Sequence, residues 1–266
     1  MSLKLQFNPE LDYQLDAINA VVDLFKGQTP KEANFTVAPV SAQMAMDESN
    51  IGIGNKLELT NEELLLNLKE VQERNGLKQS EVLEESPYIE FEVDMETGTG
   101  KTYVFIRTIM ELNKKYGFKK FVIVVPSLAI KEGVHHSLKT TESHMESLYS
   151  NEVYDYFVYN SDHIEQIDSF ATADHVSIMI INIQAFNRSF GNTDALTKAN
   201  IIHRPNDRGY EGRAPIELIQ ETNPIVIIDE PQSTANSKRS KEAIASLNPM
   251  CCIKYSATHI KPKNVV

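Results

Sequence analysis

Cysteine is nearly missing from this sequence: the only two, Cys251 and Cys252, are adjacent. Side-by-side cysteines suit neither a disulfide framework nor a metal site, which points to reduced thiols and a cytoplasmic protein. No run of about eighteen apolar residues occurs, so no membrane-spanning helix is expected. The opening MSLKLQFNPELDYQ lacks the apolar core of a secretory leader. Positive charge is scarce as well, with 26 Lys and Arg against 37 Asp and Glu, a net charge of −11. Proteins that grip a polyanion by themselves usually present a basic face. The short runs Lys114–Lys115 and Lys119–Lys120 read as solvated helix ends instead. Internal repeats and low-complexity tracts are also absent. What remains is an ordinary globular balance, 41% apolar and 24% charged over 266 residues, enough for one large domain or two small ones.

From Tyr88 onward, short β-rich runs alternate with helical ones. The strand candidates are Tyr88–Val93, Lys120–Val125, Asp155–Tyr159, His175–Ile181, Pro224–Ile228 and Cys251–Tyr255. Several are nearly continuous apolar runs (FVIVV, VSIMII, IVII), the pattern of strands buried on both faces of a parallel sheet. Helices are expected at Lys101–Lys115, Ala129–Thr140, Pro215–Glu221 and Lys238–Leu247. The alternation predicts a doubly wound α/β fold, a mostly parallel sheet with helices on both faces. The N-terminal part differs. Asp12–Phe25 reads as an amphipathic helix ending before Gly27, and Phe35–Leu59 as a hairpin or an irregular excursion. Thr60 with Glu63 makes a capping box opening a helix through about Asn75. The expected organisation is therefore an N-terminal helix in 1–30, an insertion over 31–86 and an α/β domain over 87–266.

METGTGKT, Met95–Thr102, follows an expected strand and opens an expected helix. Gly98 and Gly100 let the backbone curl so that successive amides point at one anion. With Thr97 and Thr99 they form a phosphate-cradling loop. Lys101 adds positive charge for β- and γ-phosphates, and Thr102 offers a hydroxyl to magnesium. The helix beginning there turns its positive dipole end to the phosphates. The strict pattern has glycine where this chain has Met95, so only the GxGKT core is matched.

NPIVIIDEPQ, Asn223–Gln232, is a buried strand ending in two carboxylates. Asp229 is placed to hold magnesium, and Glu230 to polarise an attacking water as general base. KYSATHI puts the hydroxyls of Ser256 and Thr258 after the last strand, where they could bond these carboxylates and couple nucleotide state to the rest of the molecule.

The order GTGKT, DEPQ, SAT resembles the first RecA-like motor domain of superfamily 2 helicases and translocases, over essentially the whole chain. Two weaker matches agree. NPELDYQLDAI resembles the family's adenine-recognition segment, with Tyr13 and Gln14 at its tyrosine–glutamine positions. VVPSLAIKEGV resembles motif Ia, so Pro126 and Ser127 would lie along a nucleic-acid backbone. Within the superfamily the chain looks most like the Res subunit of type III restriction enzymes, which are ATP-dependent DNA-translocating endonucleases. That resemblance implies ATP and Mg²⁺, double-stranded DNA and a modification (methyltransferase) subunit as partners. INIQAFNR, Ile181–Arg188, would fall near motif Ib, with a buried strand running into a helix as the other reading. The chain stops at Val266, eight residues after Thr258, so the second motor domain, its arginine finger and a nuclease domain are absent from it. Arg188, Arg204, Arg208 and Arg213 fall in no motif that would replace the finger. The resemblance therefore implies a chain that binds ATP and turns it over poorly. Two further readings stay open: the first domain of another superfamily 2 DNA or RNA helicase, or a nucleotide-controlled binding module. His135–His136 read as packing or solvated residues, and the turn-rich stretch Ser189–Ala214 as a long surface loop.

Overall fold

The computed structural model describes residues 7–37, 51–84, 87–150, 152–183, 201–205, 213–234, 237–257 and 264–266. In chain order the elements are α1 (Asp12–Asp23), β1 (Glu32–Thr36), β2 (Ile51–Asn55), α2 (Asn61–Arg74), β3 (Glu90–Asp94), α3 (Lys101–Tyr116), β4 (Lys120–Val125) and α4 (Leu128–Leu148). There follow β5 (Tyr154–Val158), α5 (Glu165–Thr172), β6 (Val176–Asn182), α6 (Pro215–Glu221), β7 (Ile225–Asp229), α7 (Pro231–Thr234), α8 (Lys238–Ala245) and β8 (Cys251–Ser256). Six of the strands form one sheet, ordered β3-β8-β7-β4-β6-β5 and parallel at every pairing.

The continuous apolar strands are explained by two covered faces. Every residue of β4 is buried, and alternate side chains part company. Phe121, Ile123 and Val125 join a core with α1, α2, α3 and α4, while Val122 and Val124 join one with α5, α6 and α8. A period of two along the strand thus feeds two helical layers. The expected α/β sheet is present, with its strands within one or two residues of the apolar runs.

The segment between α1 and β3 is tied into this body at both ends of the sheet. β1 and β2 pair antiparallel, from Glu32 opposite Asn55 to Thr36 opposite Ile51. The Thr60–Glu63 capping box forms with both of its hydrogen bonds, and Leu64, Leu68 and Val71 of α2 join the larger core. Asn67 donates to the carbonyls of Leu24 and Lys26, satisfying the end of α1. Asn55 is buried where β4 and β7 begin; its amide donates to the carbonyls of Lys120 and Asn223 and its oxygen accepts from the amides of Lys119 and Lys120. Asn55→Ala would leave these backbone groups unpaired in the interior, at a cost of about 2–4 kcal/mol. The expected result is a lower urea midpoint with an unchanged m-value; a midpoint equal to the parent's would refute the anchoring role.

Three features depart from the sequence reading. α4 runs eight residues past the expected end at Thr140, to Leu148, because Thr140 and Thr141 return their hydroxyls to the carbonyls of His136 and Ser137 and stay helical. α5 was not expected; it is short, and only Ile167, Phe170 and Ala171 mark its buried side. Lys120 is no solvated helix end. It is fully buried, and its ammonium donates to the carbonyls of Phe170 and Ala173, closing the C-terminus of α5. Burial lowers that ammonium to about 7.

Candidate active site

β3, β8 and β7 are adjacent and parallel, so their carboxyl ends open on the same side, where ligands of open α/β sheets gather. Val93 and Asp229 both lie opposite Tyr255, and Asp94 lies opposite Ser256. The glycine loop, the last hydroxyl of β8 and the carboxylate pair thus share one sheet edge.

The loop is rooted where the Met95 amide donates to the Ser256 carbonyl at 2.8 Å. Gly98 and Gly100 take left-handed φ values of 81° and 86°. Gly98 faces open space, so its requirement is conformational alone. Gly100 has a second reason: an added Cβ would come within 2.8 Å of the Gln14 amide nitrogen. That amide donates to the Thr99 carbonyl at 2.9 Å, and the Thr99 hydroxyl donates to the Glu96 carbonyl at 2.7 Å. Thr97 is exposed on the loop, and Thr102 sits in the first turn of α3.

Lys101, 10% exposed, holds its ammonium 3.7 Å from a carboxylate oxygen of Glu230. Asp229 is buried, and its carboxyl is pushed up to about 6, first by that burial and then by the Glu230 charge, with Lys101 pulling the other way. Glu230 takes a left-handed φ of 53°, which costs a non-glycine residue about 1–2 kcal/mol. Its surroundings hold it there. Its amide donates to the Tyr255 carbonyl, its carbonyl accepts from the Ser233 amide, and its carboxylate accepts from the Gln232 side chain. Pro231 then starts α7, the position where a missing amide is least harmful.

Helix α3 is braced on three sides. The Tyr255 hydroxyl donates to Thr108, and Arg107 donates to the Pro9 carbonyl at 2.5 Å. The Tyr103 hydroxyl meets His144 Nε2 of α4 at 2.9 Å, with the Phe7 ring lying parallel to Tyr103. Burial and the Arg107 charge hold His144 below its ordinary range, which suits a neutral ring accepting that hydrogen bond.

The remaining expected residues are distributed as follows. Gln14 is buried against the loop, and Tyr13 beside it is half-exposed. Pro126 and Ser127 follow β4, one strand beyond Asp229, and the Ser127 hydroxyl caps α4 by accepting from the Ile130 amide. Ser256 is buried, while Thr258 lies outside the described residues. Of INIQAFNR, only Ile181–Ile183 is described, the first two residues ending β6; Arg188 and Arg208 lie outside the described residues, as does most of Ser189–Ala214. Arg213 pairs with Glu217 and Glu221 of α6. Sequence reasoning missed the surroundings of the loop: Asp94, Glu96, Leu77 at the end of α2, and the stretch Asn264–Val266. The last lies along the free edge of β3, with Glu92 bridged to Val265. An edge strand carrying the loop calls for some cover, but nothing in the sequence names which segment supplies it.

Fold and site together define the class: a P-loop α/β domain of the RecA-like kind. The chain belongs to the res subunit family of type III restriction enzymes, whose family model matches residues 9–261. It is 28% identical to the type III restriction-modification enzyme EcoP15I Res subunit of Escherichia coli, over 97% of this chain and 26% of that protein. The EcoPI Res subunit of Escherichia phage P1 is equally similar, 28% over the same shares. The StyLTI Res subunit of Salmonella typhimurium is 32% identical over 63% of this chain and 18% of its own. The chain thus spans about a quarter or less of the length of these curated relatives. Among solved structures it is similar to a Sulfolobus solfataricus SWI2/SNF2 ATPase core in complex with dsDNA, 15% identical with a TM-score of 0.39, covering 63% of this chain and 27% of that one. No helix among the described residues is long and apolar enough to cross a membrane.

Proposed function

We propose that this chain binds ATP with magnesium and is the first motor domain of a DNA-dependent ATPase of the type III restriction Res kind. The observation that carries the reading is the meeting of Lys101 with the Asp229–Glu230 pair, 3.7 Å from ammonium to carboxylate, beside a loop bent by two left-handed glycines. The amides of Thr97–Thr102 cradle the phosphates, and Lys101 turns from Glu230 to the β- and γ-phosphates. Magnesium, when bound, would offset the charge that builds on the phosphate oxygens. Thr102 and Asp229 are the residues that would hold it. Both offer oxygen, which suits a hard cation. Among the described residues no cluster of three or more His, Cys, Asp or Glu could hold a metal, so water and phosphate oxygens would complete the shell. Glu230 takes a proton from the attacking water, and Ser256 with Thr258 relays the state of the site. Tyr13 and Gln14 belong to the adenine side, with Gln14 bracing the loop.

The wider reading rests on the relatives, which are Res subunits of restriction-modification enzymes. It comprises an N-terminal adenine-recognition helix in 1–30, an inserted segment over 31–86 and motor domain 1 over 87–266. Its partners are a modification subunit, further motor and nuclease domains, and double-stranded DNA meeting Pro126 and Ser127. The acidic balance, −11, means that the grip on DNA comes mainly from those other parts.

Calorimetric titration of ATP into this chain, with magnesium and with EDTA, tests the core of the proposal. One equivalent should bind with magnesium, and at least tenfold more weakly without it. A folded chain that binds neither form overturns the proposal. Affinity for a protein partner that responds to ATP while DNA changes nothing would favour the binding-module reading instead.

A further inference from the structure

Helix α1 starts without a cap of its own. The Leu11 side chain supplies none, and the Leu11 carbonyl accepts from the amides of both Gln14 and Leu15. A helix start of that kind frays unless other contacts hold it. Here the hold comes from α3. Arg107 is buried, and its guanidinium donates to the Pro9 carbonyl at 2.5 Å, two residues before Leu11. Its Nε lies within 3.5 Å of the Tyr149 hydroxyl, which itself donates to Glu111 at 2.9 Å. The buried cation thus reaches a carboxylate through a single hydroxyl. One turn earlier on α3, the Tyr103 ring is stacked with Phe7, at the start of the same segment. Arg107 belongs to none of GTGKT, DEPQ and SAT, so the chemistry of those motifs does not account for it.

These contacts close a ring. Helix α3 carries Lys101 in its first turn and Arg107 about 9 Å further along its axis. Arg107 holds Pro9, and the chain runs from Pro9 into α1. Gln14, in the first turn of α1, then returns to the Thr99 carbonyl at 2.9 Å, two residues before Lys101. The loop and the start of α1 are therefore both set against one helix. Tyr13 and Ala17 of α1 line, together with Thr99, a cavity of about 440 Å³ beside the loop, whose shape depends on the same setting.

We propose that Arg107 is a positioning residue of the nucleotide site: it fixes Pro9 so that Gln14 holds the phosphate loop bent before the nucleotide arrives. The inference rests on the ATP reading above and adds to it a residue that acts only through Pro9 and Gln14. Arginine suits the task because its fork presents several donors in fixed directions, serving the carbonyl and the hydroxyl together. A loop braced in advance loses less freedom when its ligand binds, so affinity rises without any new contact to the ligand. Without the fork, the Pro9 carbonyl loses its donor and the segment from Phe7 to Leu11 loosens as chain ends do. Gln14 then leaves Thr99, and the nucleotide itself must order the loop.

The experiment titrates Mg-ATP and magnesium tripolyphosphate into the parent, Arg107→Met, Gln14→Ala and the double variant, with urea midpoints measured alongside. Arg107→Met and Gln14→Ala should each weaken both ligands about tenfold, and the double variant should bind no more weakly than Gln14→Ala alone. Arg107→Lys keeps the charge and loses the fork, so it should fall between, about threefold below the parent. A merely structural arginine would lower the urea midpoint and leave the affinity of the folded chain unchanged, which overturns the proposal. A loss of affinity by the same factor with and without Gln14 overturns it too. Should Arg107→Met fail to fold, Arg107→Lys decides the matter: its loss either vanishes in the Gln14→Ala background, as expected, or persists there and refutes the positioning role. A folded parent that binds neither ligand overturns the ATP reading and this inference with it.

Discussion

Lys101→Ala should weaken Mg-ATP binding by about two orders of magnitude, the loss of a charge-assisted contact worth about 3 kcal/mol. The side chain is placed for it: 10% exposed, at the start of α3, within 3.7 Å of Glu230 and on the loop that Gln14 braces. Its removal has a second consequence. Lys101 is the cation that pulls the Asp229 carboxyl down, so without it that group rises further and takes up protons more readily near neutral pH. The variant should therefore bind less tightly at pH 6 than at pH 8 by a larger margin than the parent. Calorimetry at the two pH values reads both effects. Affinity within threefold of the parent at both would sink the assignment of Lys101 to the phosphates.

The sheet was legible in the sequence because burial on both faces leaves a direct mark. FVIVV and IVII can hardly be anything but interior strands, and the structure makes them β4 and β7. The loop and the acid pair were legible for a different reason: glycines and paired carboxylates at strand ends stand out in a sequence, and Gly98 and Gly100 take positive φ without the strain that a side chain adds, as it does at Glu230. The end of α4 was lost because Thr140 and Thr141 look like helix breakers unless their hydroxyls are known to bond back along the helix. Lys120 was lost because a lysine at a strand start looks solvated; only tertiary structure brings the open carbonyls of α5 to it. The cavity beside the loop was illegible for a similar reason. Its walls come from α1, the residues just after α2, the end of β3 and Val265–Val266, whose closeness is a matter of strand order, and local pattern does not encode strand order.

Asp229→Asn should raise the stability of the nucleotide-free chain at pH 7.5 while removing its use of magnesium. The Asp229 carboxyl, ordinarily at 3.8, lies at about 6 in the folded protein because burial disfavours its charge and Glu230 repels it. A folded-state value above the unfolded one means that the native state keeps its proton longer. Between roughly pH 4 and 6 the unfolded chain has lost the proton and the native chain has not, so native stability falls as pH rises through that window. Above about pH 6 the penalty is complete. A shift of this size corresponds to roughly 1–3 kcal/mol. Asparagine keeps the shape and has no charge to bury, so its denaturation midpoint should exceed the parent's at pH 7.5 and meet it below about pH 4. A gain of equal size at both pH values would assign the effect to packing. A loss at pH 7.5 would mean that the charge is paid for within the apo site by contacts stronger than Lys101 and the Glu230 amide provide. The expected result makes Asp229 a residue held at a cost in the empty site, with magnesium as the ion that relieves it.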